Sequence, residues 1–442
     1  MAAVPADLSI NARWILPMTT RGLILEAHSL IVRDGRIAEI LPRAEARMKY
    51  APTMTVDRPA HLLMPGLVNA HTNAAMSLFR DIAAGLPLNG RLSEIIRPLE
   101  RRFVNREFVH DGVLVSIAGM LKTGVTCFGD MYMFPGETAR TAALQGMRAV
   151  IGMPVSDIPS PWAKGCDECL SRALAVHDEY RDHPFISTAF APQATLNLSD
   201  EALTRVLTLA NELDAGIFIR MHESTAAVGE SLQRHGRRPL ERLEDLGLLT
   251  PALNAIHMTH LNDEDIARAL RTGIAVTLCP ESNLKSGSPP PPIAALASAG
   301  MRLGVGSDGP ATNGDQDLWS EIKLLTLLSR QSGDSAHVVA PWDALAAATR
   351  GGASALGLEA QIGTLETGKW ADRCCMDLSG PSTQPLYDPL TQLVFSGGRE
   401  MVTDVWVGGR LLLAESGLTR LDWPGVSARA TAWASRLGSG GQ

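Results

Sequence analysis

Residues 216–223 of the chain are Gly-Ile-Phe-Ile-Arg-Met-His-Glu, a run that begins apolar and has three ionisable side chains among its last four residues. Seven further short, β-rich runs recur along the chain, and stretches with apolar residues at helical spacing follow them. They are residues 62–71, 125–130, 148–154, 186–193, 254–260, 273–280 and 302–309. Eight such strands alternating with helices favour a closed parallel barrel over an open sheet. We therefore predict an α/β fold, with a (β/α)8 TIM-like barrel over residues 62–358.

The two ends of the chain show a different pattern. Residues 1–61 alternate short apolar runs with turns, and the sequence Arg-Asp-Gly-Arg at 33–36 is a hairpin signal. Short strand patterns return over residues 359–430. We expect 1–61 and 359–430 to form one small β-sandwich beside the barrel, and residues 431–442 to be a disordered tail.

Polar residues are concentrated where the predicted barrel strands end. Active sites of such barrels lie at the carboxyl ends of the strands, and a buried strand end has little structural use for charge. We therefore predict the active site at this end of the barrel. The residues are His71, Asp130, Gln193, Arg220, His222, Glu223, His257 and Asp308.

Composition excludes several classes of protein. The 442 residues are 45% hydrophobic, which is too high for a disordered chain, and the net charge of −7 argues against nucleic-acid or anionic-membrane partners. We see no apolar run long enough to span a membrane and no signal peptide. Six cysteines are too few for a disulfide scaffold, so we expect a cytoplasmic protein.

The pair Cys166 and Cys169 is expected in an exposed loop. Residues 286–292, with four consecutive prolines, predict a stiff loop over the barrel mouth.

Five motifs together resemble the amidohydrolase superfamily. They are PGLVNAHTNAAMSLFRD, MHES, HMTH, CPESNLK and GSDGPATNGDQDL. More narrowly, they are similar to the branch that contains triazine hydrolases and the deaminases of adenosine, S-adenosylhomocysteine and methylthioadenosine. The resemblance implies one divalent metal, usually zinc, held by a His-x-His pair, a further His and an Asp, with a Glu and a His that move protons. It also implies a homo-oligomer.

Two of the four ligand positions depart from this pattern. Asn73 stands in place of the second His of the pair, and Arg220 stands at the ligand position of the fifth strand. A neutral amide binds zinc weakly, and a guanidinium stays protonated and repels a dication. We therefore expect a site without a metal cofactor. The alternative is zinc held by His71, His257 and Asp308.

In the metal-independent interpretation, four side chains are catalytic. Glu223 moves a proton between the attacking group and a ring nitrogen, and His257 polarises the reacting group or acts as a second acid or base. Arg220 stabilises developing negative charge and pairs with Asp308, which otherwise serves as a base.

Six further side chains are candidate substrate contacts: His71, Asn73, His222, Gln193, Arg91 and Arg97. For His71 the alternative is a hydrogen-bonded core residue, and for His222 a solvent-facing one. Arg91 and Arg97 suit a carboxylate or phosphate of the ligand if they lie over the mouth, and otherwise belong to a solvated helix face.

Three functions remain open at this point. The first is an amidohydrolase-fold enzyme that acts on a small nitrogen heterocycle or nucleoside-like compound by metal-independent acid–base catalysis. The second is a zinc-dependent aminohydrolase of purine or S-adenosylhomocysteine-like substrates with an atypical ligand set. The third is a catalytically silent homologue that binds or assembles with a partner. In the two enzyme interpretations the partner is a small-molecule substrate.

Overall fold

The computed structural model describes residues 3–82, 90–193, 196, 198–332 and 338–438. Its helices, over those residues, are all too short or too polar to cross a bilayer. The strands, in chain order, are β1 (Val4–Ile15), β2 (Leu25–Glu26), β3 (His28–Arg33), β4 (Arg36–Pro42), β5 (Tyr50–Pro65), β6 (Leu67–Thr72), β7 (Val125–Asp130), β8 (Arg148–Val155), β9 (Ile186–Pro192), β10 (Gly216–Met221), β11 (Leu253–His257), β12 (Ala275–Leu278), β13 (Arg302–Val305), β14 (Arg373–Asp377), β15 (Val402–Val407), β16 (Arg410–Ala414) and β17 (Gly417–Leu418).

Strands β6 to β13 form the barrel. They pair in sequence order, each parallel to the next. The ring closes where the Asp308 N–H donates to the His71 carbonyl at 3.0 Å. Strands β7 and β8 are buried along their whole length, as expected of parallel strands covered on both faces. The predicted (β/α)8 barrel is confirmed.

Helices cover the outside of the barrel and follow the predicted amphipathic pattern. Helix Asp200–Glu212, for example, begins after Ser199, whose hydroxyl accepts the Ala202 N–H at 3.2 Å, and its first turn is acidic. The α-helices are Arg43–Lys49, Arg97–Phe103, Arg106–Lys122, Pro135–Gln145, Cys166–Tyr180, Asp200–Glu212, Thr225–His235, Pro239–Asp245, Asp263–Thr272, Pro280–Lys285, Ile293–Ser298, Leu318–Ser329, Pro341–Ala346, Gly352–Ala355, Pro389–Phe395 and Trp423–Gly438. Short 3-10 or π turns lie at Ala74–Phe79, Arg91–Ile96, Arg330–Ser332, Ala347–Gly351, Pro381–Thr383 and Arg399–Met401.

The two chain ends share a second sheet of nine strands. Its order is β17-β16-β15-β14-β5-β1-β3-β4, with β2 paired to β1. Only the β1–β5 pair is parallel among these strands. The predicted hairpin is present, with Asp34 and Gly35 at φ values of 52° and 72°. Ile10, Leu30 and Trp406 lie in one buried cluster, so strands from both chain ends share a core.

This outer sheet runs directly into the barrel. Only Gly66 separates β5 from β6, the strand that carries His71. A Cβ on Gly66 would lie 2.1 Å from the Thr126 Cγ2 atom, so the crossing tolerates no side chain. A buried ion pair adds a second connection, with Arg148 Nε 2.6 Å from Asp372 Oδ2. The position of β6 therefore depends on the outer sheet.

Two expectations about local structure were wrong. Residues 431–438 are not a tail but the end of helix Trp423–Gly438; residues 439–442 lie outside the described part of the chain. The Trp433 ring packs on Phe108 at 5.1 Å, and its indole N–H donates to Asp111. Apolar residues at helical spacing outweigh the small-residue composition of this segment. Cys166 and Cys169 lie in the first turn of helix Cys166–Tyr180, and Cys169 is buried rather than in an exposed loop.

Candidate active site at the barrel mouth

Three buried side chains meet at the mouth of the barrel: His71 at the end of β6, His257 at the end of β11 and Asp308 just beyond β13. One donor atom from each lies within 4.8 Å of the other two. His71 Nε2 is 3.3 Å from Asp308 Oδ1, although the angle is poor for a hydrogen bond. Both ring nitrogens of His71 and Nε2 of His257 are buried without a hydrogen-bond partner. Because such atoms are costly, this cluster is arranged for a ligand that bonds to them.

The backbone at these strand ends takes an uncommon conformation. His257 has φ of 76° and Asp308 has φ of 54°, in the left-handed region that non-glycine residues rarely adopt. His222, at the end of β10, has φ of 53°. Residues in this region are enriched at functional sites, where the surrounding structure holds them. The turns thus redirect side chains at three strand ends.

Asp308 is oriented by two hydroxyl groups. Its Oδ2 atom accepts hydrogen bonds from Ser282 Oγ at 2.6 Å and from Thr312 Oγ1 at 2.9 Å. Oδ1 is left facing His71. Burial favours the protonated acid, but Arg220 and the neighbouring His71 and His257 together outweigh it and hold the pKa of Asp308 well below its usual range. The carboxylate is therefore ionised at neutral pH.

His257 is oriented by an amide. Its Nδ1 atom lies 2.9 Å from Asn283 Oδ1, an acceptor, so this bond requires the proton on Nδ1. The lone pair is then on Nε2, the nitrogen without a protein partner. Metal-binding histidines commonly donate one ring N–H to such an acceptor and bind the metal through the other nitrogen.

Arg220 pairs with Glu223 rather than with Asp308, so the predicted partner was wrong. Its Nε and Nη2 atoms contact the two carboxylate oxygens of Glu223 at 3.1 and 3.2 Å. The two residues are three apart at one strand end, which makes the pair local. Burial opposes ionisation of Glu223, but the charge and hydrogen bonds of Arg220, with His257 nearby, together outweigh it and lower its pKa. Glu223 is therefore an anion held by a guanidinium.

The donors that remain fit a metal ion. Two imidazoles and one carboxylate are a typical catalytic zinc set, in which three protein ligands leave a position open for water or substrate. His71 and His257 each offer one ligand atom within 4.8 Å of the others, and each has a ring nitrogen without a hydrogen-bond partner. Asn73 takes no part through its amide nitrogen, which donates to the Met131 carbonyl at 2.6 Å. This geometry does not support the expectation that the substitutions at Asn73 and Arg220 leave a site without a metal cofactor.

The other predicted substrate contacts are spread over different environments. His222 is buried, with Nδ1 3.1 Å from the His260 carbonyl, so it does not face solvent. Gln193 is exposed at the end of β9, and Arg97 is exposed at the start of helix Arg97–Phe103. The side chain of Arg91 lies outside the described residues. A role for these residues in substrate binding stays a prediction.

Sequence reasoning assigned no role in the site to several polar residues around the cluster. Ser282, Thr312 and Asn283 hold its members, and the first and third lie in the quoted CPESNLK motif, where hydroxyl and amide side chains directly follow β12. Beside the site, the Tyr132 hydroxyl donates to Glu100 at 2.7 Å. Burial raises the pKa of Glu100, although the charges of Arg97 and Arg220 oppose the shift. Glu100 was not recognised because it stands inside a charged helical run.

Comparison with known proteins shows to which family the chain belongs. The model of the amidohydrolase family matches residues 62–412. The chain belongs to the amidohydrolase family. A 5-methylthioadenosine/S-adenosylhomocysteine deaminase of Saccharophagus degradans is 40% identical over 98% of this chain and 97% of its own length. The corresponding deaminase of Teredinibacter turnerae is 38% identical over 98% of both chains. The predicted resemblance and the prediction of an enzyme are confirmed.

Solved structures agree with this assignment. An adenosine deaminase from Xanthomonas campestris with bound zinc superposes with a TM-score of 0.98 at 41% identity, covering 99% of this chain and 100% of that chain. An atrazine chlorohydrolase from Arthrobacter aurescens gives a TM-score of 0.89 at 20% identity, with 97% and 100% coverage, which supports the fold. The zinc-bound relative and the His71–His257–Asp308 cluster favour zinc over the predicted absence of a cofactor. The homo-oligomer and the cytoplasmic location stay predictions.

Proposed function

We propose that this amidohydrolase is a zinc-dependent aminohydrolase that releases ammonia from a purine nucleoside or a similar compound. The convergence of His71, His257 and Asp308, with buried ring nitrogens that lack protein partners, carries the proposal. The names of the relatives, which are deaminases of adenosine, 5-methylthioadenosine and S-adenosylhomocysteine, support the substrate class.

His71, His257 and Asp308 would hold the ion. When bound, zinc would lower the pKa of a water molecule and so supply hydroxide to attack the ring carbon that bears the amino group. Asp308 contributes the negative charge of the ligand set, and its ionised state at neutral pH suits that role.

Glu223 is the residue placed to move protons. Its pKa is lowered and it is paired with Arg220, so it is a carboxylate at neutral pH and can accept a proton on Oε1 or Oε2. It would take the proton from the attacking water and return it to the departing amine. Arg220 keeps Glu223 ionised and at the strand end, so Glu223 is free to accept a proton there.

The test compares three forms of the purified protein: chelator-stripped, stripped and reloaded with zinc, and reloaded with magnesium. Ammonia release is measured with adenosine, 5-methylthioadenosine and S-adenosylhomocysteine. We expect ammonia from at least one nucleoside with the zinc-loaded form alone. Zinc-loaded protein that holds about one ion per chain and yet releases no ammonia would refute the proposal.

A second candidate is a metal-independent enzyme that acts by acid–base chemistry on a similar substrate. The observation that favours it is the permanent positive charge of Arg220 near Asp308, which opposes a dication. The same experiment separates the two, because this candidate requires an equal rate in the stripped and reloaded forms.

A further inference from the structure

One short segment contacts three different members of the site. Residues 279–288 comprise the helix Pro280–Lys285 and the turn after it. Within this segment, Ser282 Oγ donates to Asp308 Oδ2 at 2.6 Å, Asn283 Oδ1 lies 2.9 Å from His257 Nδ1, and Ser288 Oγ donates to the Glu223 carbonyl at 3.1 Å. Strands β10 and β11 are neighbours in the barrel, and Asp308 lies two strands further on, just beyond β13, so this segment contacts site residues from three strand ends.

The first two bonds use the atoms that point away from the cluster. Ser282 holds Oδ2 of Asp308, while Oδ1 faces His71. Asn283 holds Nδ1 of His257, while Nε2 is free of protein partners. Each bond therefore fixes the rotation of one side chain and directs its remaining donor atom inward. Both Ser282 and Asn283 are buried, at 2% and 4% exposure, so water does not compete for these bonds.

The segment is itself held in place. The Glu281 N–H donates to Glu321 Oε2 at 3.0 Å, and Lys285 Nζ donates to the Asn313 carbonyl at 2.5 Å. The Ser288 N–H donates to the Asn283 carbonyl at 3.0 Å, which closes the turn after the helix. A segment fixed at both ends can impose an orientation on the side chains that it contacts.

We propose that Ser282 and Asn283 are positioning residues that set the affinity of the His71–His257–Asp308 cluster for zinc. This inference rests on the proposed function, since it assumes that the cluster holds the ion. Partners of this kind fix the ring orientation and the tautomer of a ligand, and their loss typically weakens metal binding about 10- to 100-fold.

The experiment measures zinc affinity by competition with a chromophoric chelator for Ser282→Ala and Asn283→Leu. We expect each variant to bind zinc about 10- to 100-fold more weakly than the wild type. Ser282→Thr keeps the hydroxyl and is expected to restore most of the affinity. Ser298→Ala is the matched control, because its hydroxyl bonds only to the Ala294 carbonyl in the described structure, in the neighbouring helix.

Two outcomes are distinguishable. A wild-type protein that binds no zinc refutes the proposed function, whereas tight binding by the wild type and by both variants within about twofold refutes the positioning role. Thermal unfolding of the metal-free proteins shows whether each variant is folded.

A second measurement avoids the variants. Nitrogen chemical shifts of His257 in metal-free wild-type protein report which ring nitrogen carries the proton. We expect Nδ1, because Asn283 Oδ1 accepts from it. A proton on Nε2 would overturn the role given to Asn283.

Discussion

The two sides of the barrel mouth satisfy their polar side chains in opposite ways. His257 and Asp308 have protein partners on their outer atoms and none that bonds well on the atoms that face His71. On the β10 side, Arg220 and Glu223 satisfy each other with two hydrogen bonds. The side with His257 and Asp308 is the open side of the mouth, because it leaves atoms free to bond a ligand. The side with Arg220 and Glu223 is the closed side, because these two side chains bond to each other. Loss of ligand residues at two positions therefore does not imply that His71, His257 and Asp308 have lost their function.

Asp308→Asn gives the largest expected effect, because it removes the charge from the open side of the mouth. We expect zinc affinity to fall by more than about 100-fold, beyond the loss produced by an outer partner. The measurement is competition with a chelator. Asp377→Asn, in the outer sheet, is the control and should bind zinc as the wild type does. Unchanged affinity in Asp308→Asn would show that this side does not hold the ion.

Glu223→Gln tests the closed side. An amide keeps the shape of the side chain and one contact to Arg220, but it accepts no proton, so we expect kcat to fall about 100-fold. Zinc affinity should stay within about threefold of the wild type, since Glu223 is not a ligand in the proposal. Steady-state ammonia release and the chelator assay are measured together. A variant with wild-type kcat would remove Glu223 from the mechanism.

Arg220→His turns the closed side into an open one. It removes a positive charge and adds an imidazole at the strand end, so we expect zinc to bind about tenfold more tightly. Arg220→Gln removes the charge without adding a ligand, and comparison of the two variants separates these contributions. If neither variant binds zinc more tightly than the wild type, the guanidinium does not oppose the ion.

Asp130 gives the smallest expected effect, on stability. Burial raises its pKa from 3.8 to about 7, and its Oδ1 accepts the Ala74 N–H just after Asn73. Between those pH values the folded state keeps a proton that the unfolded state has lost. Stability contributed by this proton is complete below pH 3.8 and is lost as the pH rises towards 7. Asp130→Asn does not titrate, so this dependence of stability on pH should disappear. The difference in free energy of unfolding between the variant and the wild type should therefore change by at least about 1 kcal/mol between about pH 5 and 8. Denaturant unfolding at the two pH values measures it, and parallel pH profiles would contradict the raised pKa.

The barrel could be predicted because each strand is an apolar run with polar residues at its end. That pattern is visible within each short segment and does not depend on contacts between distant residues. It also identified His71, His257 and Asp308 as the alternative metal set. It could not predict the partner of Arg220, because the direction of a side chain at a strand end depends on the turn that follows, here with His222 at φ of 53°. The roles of Ser282 and Asn283 were equally hidden, since each depends on a bond between distant parts of the chain.

The passage from β5 to β6 through a single glycine has a consequence for how the enzyme tolerates damage. β5 pairs with β1 on one side and with β14 on the other, so the strand that leads into β6 and His71 is held by segments from both ends of the chain. Removal of β1 or β14 should therefore displace β5 and, through Gly66, the His71 imidazole. We therefore expect truncations at the two ends to lower the catalytic activity before they unfold the protein.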